Sequence, residues 1–365
     1  MLQVVLKKAI ELGASDVHLK VGSPPVLRLK KRLQSLSDFP DLDERVIELI
    51  AKEILERNRR KMLAFEELGE VDTSYSIPGL ARFRVNVYRQ RNTVGIAFRV
   101  IPFQIPPFES LNLPQVMKKI ILNSTKGLIL VTGPTGAGKS TTLASLIEIL
   151  NSTRDVLIVT IEDPIEYLFI DKKAFIIQRE VGIDTSSFAR GLRAALREDP
   201  DVIMVGEIRD TETAQMALQA AETGHLVLST LHTLDAKETL NRLISMFSLE
   251  VREQVRIQLA ETLVAIFSQR LLPKADGTGV VPAVEVLTNT ATIKEAIIDP
   301  ARFGEIPSLL EKGTPVYGTQ IFDQHLEELY RRGLIDYKTA LMYASRPTDL
   351  ELKLKGIKLG ARGYA

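Results

Sequence analysis

The 365-residue chain has no cysteine and no tryptophan. Without cysteine there is no disulfide framework and no thiolate zinc site. The four histidines are scattered, and none pairs at metal-ligand spacing. An excess of one charge sign is also missing: 47 Lys and Arg stand against 46 Asp and Glu, a formal net charge of +1. Proteins that hold nucleic acid usually carry a basic excess, because phosphate neutralisation dominates their affinity. A DNA translocase is therefore disfavoured, and no nucleic-acid partner is expected. No apolar run approaches the roughly 20 residues that a membrane-spanning helix needs. The first residues mix apolar Leu2, Val4, Val5, Leu6, Ala9 and Ile10 with Lys7, Lys8 and Glu11, a helical pattern and not a signal-peptide core. These absences point to a cytoplasmic protein.

What is present falls into two regions joined by a proline-rich stretch. Residues 1–100 read as a small α/β domain, with a strand at 16–21, a helix over 44–67 and strands at 82–88 and 93–100. Residues 101–112 contain Pro102, Pro106 and Pro107, which neither a helix interior nor a central strand tolerates, and read as a linker. From 113 to 365 the pattern is that of an α/β domain with a helical C-terminal region. Short apolar runs at 128–132, 156–161, 202–205 and 226–231 suit a parallel sheet covered on both faces. An amphipathic helix is expected over 251–272, and a helical hairpin around Gly333.

The sharpest motif is Gly133, Pro134, Thr135, Gly136, Ala137, Gly138, Lys139, Ser140 and Thr141. Two glycines separated by four residues and followed by Lys and Ser form a phosphate-binding loop. Glycines let backbone N–H groups turn inward, and the helix that follows adds its positive dipole end. Lys139 would hold the β- and γ-phosphates of ATP, and Ser140 would bind Mg²⁺. An apolar strand ending in Gly206-Glu207 supplies the acid expected on the Mg²⁺ side. Glu162, after strand 156–161, is a second candidate for orienting the attacking water. Local pattern leaves the choice between Glu162 and Glu207 open, and Glu166 lies close by. His225 and His232 bracket strand 226–231; His232 falls at the phosphate edge, where it can sense γ-phosphate or serve only structure. Arg190, Arg193 and Arg197, spaced three and four apart, form a basic face or a subunit or phosphate contact.

One feature of the first region also asks for explanation. Phe83, Val85 and Val87 alternate with Arg82 and Arg84, while Val94, Ile96 and Phe98 alternate with Arg99. If the two strands form a hairpin, aligning the apolar faces sets Arg82 or Arg84 directly across from Arg99. Like charges so placed cost a few tenths to about 1 kcal/mol, which a purely structural hairpin does not repay. The arginines are candidates for stabilising γ-phosphate charge during hydrolysis.

Together the P-loop, the acidic box at 160–166, the Gly206-Glu207 pair, the His225 and His232 box and Asp16-Val17-His18 resemble the secretion-motor ATPases of type IV pili and type II secretion. The resemblance covers most of the chain and is strongest from 127 to 273. It implies a PAS-like N-terminal domain, a RecA-like C-terminal domain, Mg²⁺-dependent ATP hydrolysis and a homohexamer. It also implies an inner-membrane platform protein as partner, at the cytoplasmic face of the membrane, and possible cooperation with a second pilus ATPase. The short form, with no four-cysteine zinc module, resembles the retraction branch, which powers twitching motility; an accessory or extension ATPase is the alternative. One departure falls at 292–299, where Thr-Ile-Lys-Glu-Ala-Ile-Ile-Asp replaces the Ala-Ile-Arg-Asn-Leu-Ile-Arg-Glu usual in retraction ATPases. It bears on direction and partner, not on hydrolysis.

Overall fold

The computed structural model describes residues 1–56, 58–77, 79–101 and 104–356, the side chain of Pro315 excepted. They form two compact units: Met1–Gln104 with Pro164–Leu168, and Ile105–Asp163 with Phe169–Ala365. Among the described residues no helix is long and apolar enough to cross a membrane.

In the first unit, α1 (Leu2–Glu11) buries Leu2, Val5, Leu6 and Ala9 at helical spacing, while Val4 falls on the exposed side. Strands β1 (Asp16–Lys20), β2 (Val26–Leu29) and β3 (Arg32–Ser35) follow. The expected single helix over 44–67 is two, α2 (Glu44–Leu55) and α3 (Arg59–Leu68). The second starts at Asn58, whose side chain accepts hydrogen bonds from the Arg60 and Lys61 N–H groups. Such a cap contributes about 1 kcal/mol and favours a new helix start over continuation. Then come β4 (Glu70–Ile77), β5 (Ala81–Gln90) and β6 (Thr93–Ile101), and the sheet order is β3-β2-β1-β6-β5-β4. The β5–β6 turn sets Arg91 at φ 46° and Asn92 at φ 61°, as a two-residue type I′ hairpin requires. Phe83, Val85, Val87, Ile96 and Phe98 are buried, and Arg84 pairs directly with Arg99.

The stretch expected as a linker is divided. Ile101 ends β6, Pro102 and Phe103 lie outside the described residues, and Phe108–Leu111 forms a 3-10 turn. Phe108 is 3% exposed and packs in the core of the second unit, so this part is anchored by an aromatic side chain.

The second unit runs α4 (Gln115–Asn123), β7 (Gly127–Thr132), α5 (Lys139–Thr153), β8 (Leu157–Glu162), β9 (Phe175–Glu180), α6 (Phe188–Ala195), β10 (Val202–Val205), α7 (Thr211–Glu222), β11 (Leu226–Leu231), α8 (Ala236–Ser245) and α9 (Arg252–Thr262). It continues with β12 (Leu263–Pro273), β13 (Val280–Thr288), α10 (Ala291–Ile298), α11 (Ile306–Tyr317), α12 (Phe322–Arg331), α13 (Tyr337–Tyr343) and α14 (Pro347–Leu354). The sheet order is β13-β12-β7-β11-β10-β8-β9, with only the β12–β13 pair antiparallel. Leu128 and Leu130 face one buried cluster, Ile129 and Val131 another. A sheet buried on both faces reads as an unbroken apolar run.

The helix expected over 251–272 stops at Thr262, and 263–273 is strand β12 instead. Leu263-Val-Ala-Ile-Phe is apolar at every position, and periodicity alone does not tell such a run from a buried helix. What decides is pairing: β12 lies parallel to β7 and antiparallel to β13. Arg197 lies beyond the end of α6, so the three-arginine helical face reduces to Arg190 and Arg193, and Arg193 is paired with Glu212. The hairpin at Gly333 is present, with φ 69° between α12 and α13.

Candidate active site at the carboxyl edge of the second sheet

Strands β7, β11, β10 and β8 are parallel neighbours in that order. Their carboxyl ends therefore bring four loops to one edge, the place where ligands sit in open α/β sheets. The glycine-rich loop fills the gap between β7 and α5. Gly133, Gly136 and Gly138 take φ of 148°, 80° and 82°, values that side-chain-bearing residues rarely adopt. A Cβ at Gly133 would lie 2.3 Å from the backbone oxygen of Gln269. Pro134, Thr135, Gly136 and Ser140 are exposed, and Ala137 is buried. Helix α5 begins at Lys139 itself, so its unsatisfied N–H groups and positive dipole end face the loop.

The Lys139 ammonium is buried and donates to the carbonyls of Gly133, at 2.9 Å, and Pro134, at 3.1 Å. It also lies 3.5 Å from His232 Nδ1. An ammonium has donors only, so Nδ1 takes this contact as acceptor and Nε2 carries the ring hydrogen. Nε2 stands 3.4 Å from Glu207 Oε2. The other Glu207 oxygen is paired with Arg209, whose guanidinium is held above its ordinary pKa first by that hydrogen bond. Arg209 also lies 3.7 Å from Asp163. The expected residues Lys139, His232 and Glu207 thus meet in one chain of contacts. Reading the sequence missed Arg209, although it sits two residues after Glu207, because nothing local marks an arginine as that carboxylate's partner.

Glu162 ends β8 on the same edge and is 7% exposed. Its Oε1 accepts from Thr160 Oγ1 at 2.6 Å and from Gln178 Nε2 at 3.1 Å. Gln178 comes from β9, a strand the sequence did not announce. Glu166 is exposed and groups with the first unit, whereas Glu162 and Glu207 belong to the second. His225 sits at the opposite end of β11 from His232 and donates from Nδ1 to the Ala220 carbonyl at 2.9 Å, finishing α7.

Arg82, Arg84 and Arg99 share the polar face of the first unit's sheet. Arg99 Nε reaches Asp16 at 3.0 Å, and Arg82 donates to Ser74 at 2.9 Å. Arg84 is exposed and makes no hydrogen bond or ion pair among the described residues.

A parallel sheet whose first strand runs through a glycine-rich loop into a helix beginning at lysine defines a P-loop protein. Comparison with known proteins narrows this. Residues 101–315 match the family described as type II/IV secretion system protein. The type IV pilus retraction ATPase PilT of Pseudomonas aeruginosa is 42% identical over 337 residues, covering 92% of this chain and 96% of PilT. The type IV pilus ATPase PilU of the same organism is 40% identical over 363 residues, covering 99% and 92%. The crystal structure of the pilus retraction motor PilT with bound ADP superposes at a TM-score of 0.85 with 46% identity, covering 95% of this chain and 98% of that one. The chain belongs to the type II/IV secretion ATPase family.

Proposed function

We propose that the chain is an ATP-hydrolysing motor that powers type IV pilus retraction, acting as a ring at the cytoplasmic face of the inner membrane. The observation that supports this most is the convergence of Lys139, His232, Glu207 and Arg209 at the P-loop edge, in a chain similar to PilT over nearly its whole length. The loop 133–141 holds the triphosphate. Lys139 leaves its own loop carbonyls to meet the β- and γ-oxygens, and His232 follows it, linking phosphate occupancy to the Glu207 carboxylate. The exposed Ser140 hydroxyl and Glu207 are hard oxygen donors that suit Mg²⁺ and would hold it beside the phosphates. When bound, Mg²⁺ neutralises charge building on the phosphates.

Glu162, fixed by Thr160 and Gln178, or Glu207 orients the attacking water. The arginine face of the first unit, a PAS-like domain, supplies guanidinium charge in the transition state at the P-loop of its own or a neighbouring subunit. Arg84 is its leading member, because Arg82 and Arg99 already have partners. The ring is a homohexamer that acts on an inner-membrane platform protein and can cooperate with a second pilus ATPase. An accessory or extension role is the second reading. It is favoured by the similarity to PilU and by the departing segment 292–299, whose Ile298 is 40% exposed on α10.

The chemistry is tested by substitution. Lys139→Ala should lose tight ATP binding, whereas Glu207→Gln and Glu162→Gln should bind ATP, with at least one failing to turn it over. Near wild-type hydrolysis in any one of them would end the assignment of that residue. Arg82, Arg84 and Arg99 changed singly to Ala should lower turnover more than tenfold for at least one, with folding and assembly intact. Sedimentation should show a hexamer at micromolar concentration or with nucleotide. Deleting the gene should leave excess surface pili and no surface motility; bald cells would mean extension.

A further inference from the structure

Gln269 lies in the middle of β12 and is 1% exposed. A wholly buried amide needs its hydrogen bonds satisfied inside the protein, and here they tie two parts of the P-loop region together. Its Nε2 donates to the Ala137 carbonyl at 2.5 Å, and its Oε1 accepts from Thr142 Oγ1 at 2.9 Å. Ala137 is the last residue before the loop's second motif glycine, and Thr142 lies in the first turn of α5. The same strand presses on the loop from beneath: a Cβ on Gly138 would lie 3.3 Å from Gln269 Nε2. Neither the glycine-rich motif nor the acids nor the histidine account for this glutamine.

The consequence follows from the peptide bond. The carbonyl of Ala137 and the N–H of Gly138 belong to one planar trans unit and point in opposite directions. Pinning the carbonyl down against β12 aims the Gly138 N–H away from β12, to the open side of the loop. That N–H has no hydrogen-bond partner among the described residues. A backbone donor held outward at a helix N-terminus is what a phosphate oxygen needs. If the carbonyl were released, the peptide could turn over and present oxygen to the anion instead.

We propose that Gln269 is a positioning residue for the nucleotide phosphates: it holds the Ala137–Gly138 peptide so that the Gly138 N–H faces the bound anion. This rests on reading loop 133–141 as the nucleotide site. Gln269 touches no phosphate itself. Its effect is on how well phosphate is held, in ground state and transition state alike, so it belongs to affinity more than to the chemical step.

The test uses full-length Gln269→Met, which keeps the volume but not the amide, and Gln269→Glu, which puts an oxygen where the donor was. ADP affinity is measured by titration calorimetry, KM and kcat for ATP by steady-state assay, and thermal unfolding without nucleotide. Both variants should raise the ADP Kd and the KM by about tenfold or more, with kcat within about threefold. A packing role alone would lower the melting temperature and leave Kd and KM of the folded protein unchanged; that result overturns the proposal. If neither variant folds, Thr142→Val removes the contact that orients the amide and should raise the ADP Kd about threefold; an unchanged Kd there overturns it too. Lys139→Ala separates the two readings. ADP affinity retained in Lys139→Ala removes the nucleotide site itself, whereas affinity lost there but kept in Gln269→Met removes only the role of Gln269.

Discussion

The two sheets of this molecule handle polar residues in opposite ways. The first unit's sheet is antiparallel and open to water on one face, where its charges lie side by side. Arg84 stands directly opposite Arg99, yet Arg99 is answered on its other side by Asp16 of β1. Burial pushes the Asp16 carboxyl up, but hydrogen bonds from Ser15 and Arg99 outweigh it and hold the group below its ordinary value. Solvent screens the rest. The second unit's sheet is mainly parallel and covered on both faces, and several of its polar groups are buried and bonded: Ser229 to the Val205 carbonyl, Thr230 to the Gly206 carbonyl, Thr132 to Ser268. Charge errors should therefore be cheap in the first sheet and expensive in the second.

Glycine substitutions should show the largest contrast. Gly133→Ala forces a Cβ to within 2.3 Å of the Gln269 carbonyl oxygen, and it should destabilise the second unit by about 3 kcal/mol or more and abolish ADP binding. Gly79→Ala, in the first unit, meets nothing within 4 Å although its φ is 71°; it should cost about 1 kcal/mol. Equal losses in denaturant titration would dissolve the contrast.

The next effect concerns two neighbours in the second unit. Glu285, on β13, accepts from the Ala236 N–H, and burial pushes its carboxyl up to about 7. Between its ordinary value and about 7 the folded protein keeps a proton that the unfolded chain has released, so stability falls as pH rises through that window. Glu285→Gln should therefore stabilise by on the order of 2 kcal/mol near pH 8 and by almost nothing near pH 4. His325 works the other way. Its Nδ1 accepts from the Val284 N–H, and burial lowers it to about 4. The unfolded chain takes up this proton first as pH falls below the ordinary histidine value, so His325 costs stability on acidification. Glu285→Gln should expose that rising slope between about pH 4 and 6.5. A gain of the same size at every pH would mean that Glu285 is ionised throughout.

The smallest changes belong to the open face. Asp16→Asn leaves Arg28 and Arg99 without their shared carboxylate, 3.7 and 3.0 Å away, and should cost about 1 kcal/mol. Arg84→Gln relieves the like-charge pair and should change stability by no more than about 0.5 kcal/mol, in the stabilising direction. Turnover should respond much more than stability to that change. A large loss of stability would return Arg84 to a structural role.

Reading the sequence succeeded where the physics is local. The register that opposes Arg84 and Arg99 follows from strict alternation on two adjacent strands and a two-residue turn. The P-loop is legible because glycine spacing, lysine and helix start lie within nine residues. It failed where a partner from far along the chain decides the outcome. Strands β12 and β13, in territory that reads as helical, become strands because β7 offers an edge to β12 and β12 offers one to β13. Arg197 fits the three-and-four spacing of a helical face, yet α6 ends before it.

By itself the sequence determined which residues can cradle a phosphate, which faces of each element are apolar and where most of the parallel strands run, because propensity, spacing and alternation act over a few neighbours. Only the tertiary structure decided that Arg209 holds Glu207, that Gln178 holds Glu162 and that Gln269 sets the loop from beneath. The last two are hydrogen bonds between segments brought together by sheet order, and sheet order is chosen by burying both faces of the whole sheet at once.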